Sequence, residues 1–340
     1  MIRTELAHGM AGLAACFAVA LTPACGAGQT SGAGETSRAL EIVEYRIPRA
    51  GAFPHDPAVG PDGIVWYTDQ ANSFIGRLDP ETGAITDYEI PTPRSGPHGI
   101  EVAPDGQVWF TSQAAGKIGR LDPATGKITE YPMPAGVGDP HTPIVHRGYV
   151  WFTAQRANVY GRLDPRTGKV DVFKVPTPNA LPYGITAAPD GGIWIAFFGT
   201  NKLGHVVPED GTLHEIELPD AGARPRRIAV DREGRVWYTD YARDKLGLLD
   251  PKTQAKTEFD TPDPDSGPYG ITIGPDGRVW YNESANGRMV AFDPVTKTSE
   301  TLRIPTSGAI ARHIVTDASR KRIWLALSGT GRIGRIDLGS

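Results

Sequence analysis

The sequence predicts an all-β chain folded as a seven-bladed β-propeller of four-stranded antiparallel blades, and three features predict it. The seven tryptophans, Trp66, Trp109, Trp151, Trp194, Trp237, Trp280 and Trp324, are spaced by 43, 42, 43, 43, 43 and 44 residues. A fixed period in the forties, built from short strands, marks one blade per repeat. Composition agrees, since 41 Gly and 30 Pro against 4 Met favour turns over long helices. The same turn signals also recur in each period between runs of β-branched and aromatic residues. One blade cannot bury its own faces, so the repeat makes physical sense as a closed ring.

Residues 95–134 show the unit. "HGIEVA" reads as the innermost strand, "PDG" as a turn, "QVWFTS" as the second strand, "KIGRLDP" as the third, "ATG" as a turn and "KITEYPMP" as the outermost strand. The tryptophan supplies a large apolar surface and is expected to pack between adjacent blades. The last repeat stops at "RIGRIDLGS" without an outermost strand, whereas "EIVEYRIP" (41–48) is an outermost strand with no blade before it. The N-terminal strand is therefore expected to complete the last blade, closing the ring and covering its edges. A single domain over residues 39–340 follows.

Residues 1–24 stand apart: a polar start with Arg3, an apolar run over 10–21, then small residues around Ala24. This reads as an export signal. The run is too short to span a bilayer, so no transmembrane span is expected in the mature chain. Residues 25–38 form a flexible Gly/Ser linker. Both cysteines, Cys16 and Cys25, fall outside the repeats, which excludes a disulfide framework in the folded body. Two readings of Cys25 stay open, a lipid anchor and ordinary cleavage near Ala24. Either makes the protein exported, periplasmic or extracellular. The net charge of −4, with Lys and Arg scattered among Asp and Glu, offers no basic stripe for a phosphate backbone, so nucleic acid is not an expected partner. A closed propeller needs no second subunit, and a monomer is expected.

The repeat begins Pro-X-Gly-Ile, with X where the chain passes into the innermost strand at one rim of the central channel. Read in order, X is His55, His98, His141, Tyr183, Arg226, Tyr269 and Arg312, the last followed by His313. The second strand runs back to the same rim, bringing Asp69, Gln155, Asp240 and Glu283 to it three or four residues after a tryptophan. Blade packing asks for Gly, Ile and Trp, but nothing in it asks for His, Tyr or Arg at X. Convergent polar groups around one concavity mark a binding site, here for a small-molecule or cyclic-peptide ligand. The plainer alternative is a solvated polar funnel.

Carrying "GPHGI", "VWFT", "KIGRLDP" and "ITEYPMP", the chain resembles the virginiamycin B lyase (streptogramin lyase) family over residues 40–340. The resemblance implies opening of a cyclic depsipeptide by elimination across its ester, without entry of water. It implies Mg²⁺, a general-base histidine in a Glu-Pro-His segment, a Glu four residues after the tryptophan of that blade, a Pro-His in the preceding blade and a Pro-Tyr in the next. Here "DPH" supplies Asp139 and His141, with His98 before and Tyr183 of "LPYG" after. His141, His98 and Tyr183 are thus the implied catalytic group, and Asp139 and Gln155 the implied Mg²⁺ ligands. Such chemistry needs a base at a proton beside a carbonyl and a cation at the developing enolate. Two departures bear on it: Asp139 is shorter than Glu, and Gln155 keeps an oxygen but loses the charge.

A second constellation joins Asp240 and Glu283 with Arg226, Tyr269, Asp69 and His55. It resembles the divalent-metal site of gluconolactonase-type propellers, which are hydrolases. An ion-pair network around Arg226 is the competing account of these residues. A noncatalytic, exported binding propeller is the third reading.

Overall fold

The structure, a computed structural model, describes residues 40–339. The expected export signal (1–24), the linker (25–38) and Cys25 lie outside the described residues. Seven four-stranded antiparallel sheets form the blades: 1 (54–89), 2 (97–132), 3 (140–174), 4 (182–217), 5 (225–260), 6 (268–303) and 7 (311–337 with 42–46). The innermost strand comes first in each blade. Strand Ile42–Arg46 pairs antiparallel with Arg332–Asp337, from Ile42 opposite Ile336 to Arg46 opposite Arg332. The two ends of the domain are thus hydrogen-bonded into one sheet, as the incomplete last repeat requires. Among the described residues, no helix is long and apolar enough to cross a membrane.

Each tryptophan packs between blades. Trp66 of blade 1 lies with Val108 and Phe110 of blade 2, and Trp109 with Val150 and Phe152 of blade 3. At the closure, Trp324 of blade 7 lies with Val65 and Tyr67 of blade 1. Strand parity explains the arrangement: alternate residues of the second strand face opposite neighbours, so Trp66 meets the following blade and Tyr67 the preceding one. The Tyr67 ring crosses directly over Gly76 of the third strand, where any side chain would overlap it.

The innermost strands carry a shared irregularity. Pairing with the second strand slips just after the opening proline, between Pro54 and Pro57 in blade 1 and at the equivalent place elsewhere. The slip leaves the N–H of the residue after X without a strand partner, and a buried N–H must find one. In five blades the side chain two residues beyond the tryptophan, a Thr hydroxyl or the Asn282 amide oxygen, provides it, whereas blades 4 and 7 have Ala196 and Ala326 there. Asp56 N donates to Thr68 Oγ1 at 3.1 Å, and that hydroxyl donates onward to the carbonyl of His98 in the next blade at 2.8 Å. Thr111, Thr153 and Thr239 repeat the link to His141, Tyr183 and Tyr269, and Asn282 makes it to Ala311. Five of the seven blade junctions are joined in this way, and the links pin the backbone carrying X.

Closure by the N-terminal strand carries a testable consequence. A chain beginning at residue 49 should expose the edge of Arg332–Asp337, lose its cooperative melt and self-associate on size exclusion. An unchanged melting temperature in a monomer would refute the role given to this strand.

Candidate functional site

The X side chains form a packed ring rather than the lining of an open, solvated funnel. His55, His98, His141, Tyr183 and Tyr269 are all buried. Three imidazoles and a phenol pack in succession, tilted by 44°, 43° and 53°, with centroids 3.9 Å apart from His55 to His98, 3.8 Å from His98 to His141 and 3.9 Å from His141 to Tyr183. Tyr183 and Tyr269 share a hydrogen bond of 2.6 Å between their hydroxyls. Arg226 and Arg312 complete the circle over these rings, each with its guanidinium 3.9 and 5.8 Å, respectively, from the Tyr269 centroid.

Beneath the ring lies a set of residues of which the sequence reading singled out only His313. At the position after X the repeat has Gly99, Gly184 and Gly270, where the neighbouring inner strand comes too close for a side chain. The other four blades place Asp56, Thr142, Arg227 and His313 there. Arg227 Nη2 reaches across the channel to both oxygens of Asp56, at 3.1 and 2.9 Å, from blade 5 to blade 1. Asp56 Oδ1 accepts from His55 Nδ1 at 2.8 Å. Arg227 Nη1 lies 3.4 Å from Thr142 Oγ1, which in turn meets His141 Nδ1 at 2.9 Å. One buried guanidinium therefore orients two of the three stacked imidazoles through a carboxylate and a hydroxyl. The departure from Gly in "HDP", "HTP" and "RRI" was the available signal. Below this layer a cavity of about 300 Å³ is lined by Glu101, Thr142, Thr186, Arg227 and Thr272, and burial pushes the Glu101 carboxyl up to about 7.

The ring's electrostatics follow from burial. Desolvation holds His55 below the ordinary imidazole value, opposed in part by its hydrogen bond to Asp56. His98 and His141 are held well below it, again by burial first, then by His141 and His55 around His98 and by Arg227 beside His141. His313 is pushed down to about 3 by burial and then Arg227. Burial alone would raise Asp56, but Arg227 overrides it and keeps the carboxyl ionised well below its usual range. The stack is therefore neutral at pH 7, with the Nδ1 atoms of His55 and His141 engaged and Nε2 left as the position for proton transfer.

Residues 26–196 and 143–257 match the virginiamycin B lyase family. The chain belongs to that family. The two matches overlap because interchangeable repeats can align in more than one frame. The fold is that of the selenomethionine-substituted virginiamycin B lyase from Staphylococcus aureus, at a TM-score of 0.82 and 27% identity over 88% of this chain and 100% of that one. A streptogramin B lyase structure gives 0.82 and 27%, covering 88% and 98%. A catalytically inactive histidine-to-alanine virginiamycin B lyase from the same organism, with quinupristin, gives 0.83 and 26%, covering 88% and 100%. No curated protein matches the sequence.

The remaining family-implied residues are placed less simply. Asp139 lies at the rim of blade 3, but its two oxygens accept from the backbone N–H groups of Arg156 and Ala157, at 2.8 and 3.3 Å. It caps the turn that follows Gln155. Burial raises its carboxyl, with those N–H donors opposing. One carboxylate already engaged by the backbone, beside a neutral amide, does not fit Mg²⁺, which is held through charged oxygens with tight octahedral demands. Among the described residues, only His55, Asp56 and His98 gather three metal-ligand atoms within 4.8 Å of one another, and Asp56 there is committed to Arg227.

The second constellation does not come together. Asp240 accepts from Arg224 N at 2.9 Å and pairs with Arg243 at 3.2 Å, not with Arg226. Asp69 does the same with Phe53 N and Arg49. Glu283 is buried near Asp263 and Arg288, and burial, then Asp263, raises its carboxyl. The carboxylates sit on the strand parity of Tyr67, which faces the preceding blade and its connection, away from the axis. Of that group, Arg226, Tyr269 and His55 belong to the ring.

Two outcomes test this layer. Asp56→Asn or Arg227→Met alone should cost about 3–5 kcal/mol in urea unfolding, and the double variant less than the sum of the two, because each single change strands a buried polar partner. Four imidazoles held below their ordinary value also make the unfolded chain the stronger proton binder below about pH 6.5, so stability should fall as pH drops, by up to about 1.4 kcal/mol per pH unit for each. His98→Gln should remove about one proton from that slope; an unaltered slope would contradict a neutral stack.

Proposed function

We propose that this protein opens the ester of a cyclic depsipeptide, or a closely related ester, by elimination, with His141 as the base. The observation that carries this reading is the packed order His98, His141, Tyr183, with His141 neutral and its Nδ1 engaged by Thr142. It is the order the family resemblance implies, on the family's fold. Nε2 would take the proton beside the carbonyl, the carbon–carbon double bond forms, and the carbon–oxygen bond to the ester breaks. His98 supports one face of the His141 ring and Tyr183 the other. Burial that depresses His141 keeps it unprotonated in mildly acidic medium but also makes it a weak base, so substrate positioning must supply part of the rate.

The hydrolase reading loses its support in Asp240 and Glu283, which face separate loops. Quinupristin, bound by a relative of this chain, is the first substrate to try. Incubation followed by mass spectrometry should give a linear product of unchanged mass, and His141→Ala should lower kcat/KM by about 10²–10⁴. The acid limb of kcat/KM should lie below the ordinary histidine range. A product heavier by one water would replace elimination with hydrolysis, and full activity in His141→Ala would remove the base assigned here. A strict need for added Mg²⁺ would mean that Asp139 leaves its backbone donors for a cation.

A further inference from the structure

The ring holds two cations without counter-ions. The Arg226 guanidinium carbon lies 3.9 Å from the Tyr269 centroid, 4.4 Å from Tyr241, 4.9 Å from Phe198 and 5.1 Å from Tyr183. Its hydrogen bond runs from Nη2 to Tyr183 Oη at 3.3 Å, and its Nε is buried without a partner. Arg312 rests 5.8 Å from the centroids of Phe53 and the same Tyr269, with Nε donating to Ser328 Oγ at 3.2 Å. Neither pairs with a carboxylate among the described residues. Three of the nearby acids are spent elsewhere, Asp240 on Arg243, Asp69 on Arg49, and Asp56 on Arg227 below, while Glu283 lies buried beside Asp263 and Arg288.

A desolvated guanidinium gains from aromatic faces, yet those faces do not replace an anion. Arginine in such a setting presents a planar fork suited to a carboxylate. We propose that Arg226, with Arg312 assisting, is a carboxylate-binding site whose aromatic walls, Phe198 and Tyr241, take an apolar group attached to that carboxylate. The site stands one ring away from His141, since Tyr183 touches both.

This placement gives the elimination a destination for its charge. When the proton passes to His141 and the double bond forms, the bonding pair of the broken carbon–oxygen bond departs with the ester oxygen, and the ester becomes a carboxylate. No water enters, and atoms and charge balance through the protonated imidazole and the anion. Arg226 receives that anion. The leaving-group role rests on the lyase reading, whereas the carboxylate site does not.

The test uses the whole protein and two probes that differ in charge, N-acetylphenylalanine and its amide, in calorimetric titration. The acid should bind about tenfold or more tightly than the amide, and the margin should shrink in about 0.5 M NaCl. Arg226→Gln should erase the preference, and Arg312→Gln should narrow it. Equal binding of acid and amide, no binding of either at about 10 mM, or an undiminished preference in both variants would overturn the site. Should Arg226→Gln fail to fold, the Arg312→Gln result and the salt dependence decide. Acid binding without turnover of quinupristin would keep the site and remove its leaving-group role. Turnover without acid binding would do the reverse, leaving elimination in place and this proposal refuted.

Discussion

A threonine hydroxyl two residues after the tryptophan sets the geometry on which the rest of this propeller depends. The inner strand must slip at its opening proline to turn into the channel, and the slip leaves one N–H without a ladder partner. Thr68 takes that N–H and passes its own proton to the His98 carbonyl of the next blade. Each such bond contributes about 0.5–1.5 kcal/mol net, but leaving the buried group unsatisfied would cost about 1–3 kcal/mol. The larger consequence is positional. Because the carbonyl of X is held by the blade before it, the X side chain has one direction left, toward its neighbours in the ring.

A symmetric scaffold then carries asymmetric contents. Blades 1 to 4 place three imidazoles and a phenol in van der Waals succession, while blades 5 and 7 place guanidiniums on the far side of Tyr269. Planar rings of similar size can pack against one another across adjacent blades, whereas two guanidiniums repel, and here the Tyr269 ring stands between them in ring order. The Asp56–Arg227 pair beneath keeps the axis neutral, so it shapes the imidazoles through orientation more than through net field. A buried pair of this kind adds little to stability compared with an apolar plug. Its use here is to fix ring orientation, because deleting Arg227 would free both the Asp56 contact to His55 and the Thr142 contact to His141.

The tryptophan period exposed the fold and its closure because one residue type marks one structural position per repeat. The ring was legible for a related reason: with the tryptophan constant and the opening proline present in six of the seven repeats, the changing residue after it stood out as His55, His98, His141 and Tyr183. The layer below was less visible, since Asp56, Thr142 and Arg227 occur where the eye expects Gly and reads a lapse in the repeat. Strand parity governs the carboxylates: distance along the strand brings Asp69 and Asp240 to the rim, but they share the face of Tyr67 and Tyr238, which belongs to the preceding blade. Counting by twos from Trp66 puts Thr68 toward the next blade and Asp69 away from it, and this was available in the letters. The bidentate reach of Arg227 across the channel was not, because it joins positions 171 residues apart.

Charge at the rim follows from these placements. A scaffold that turns these carboxylates away from the axis, Asp69 and Asp240 into buried pairs with Arg49 and Arg243, leaves a channel mouth with neutral imidazoles and two arginines without carboxylate partners. Eliminations of the proposed kind place negative charge first on a carbonyl oxygen and then on the departing carboxylate, so a cation near either lowers the barrier, whether a metal or a guanidinium supplies it. Gln155 weakens the metal option by removing a charge, and Arg226 adds one on the other side of Tyr183. A half-buried guanidinium already packed against aromatic rings undergoes little reorganisation when the anion forms, which is the condition under which such stabilisation is largest. On the proposed mechanism, therefore, the positive charge offered to the reaction would lie on the side of the leaving group.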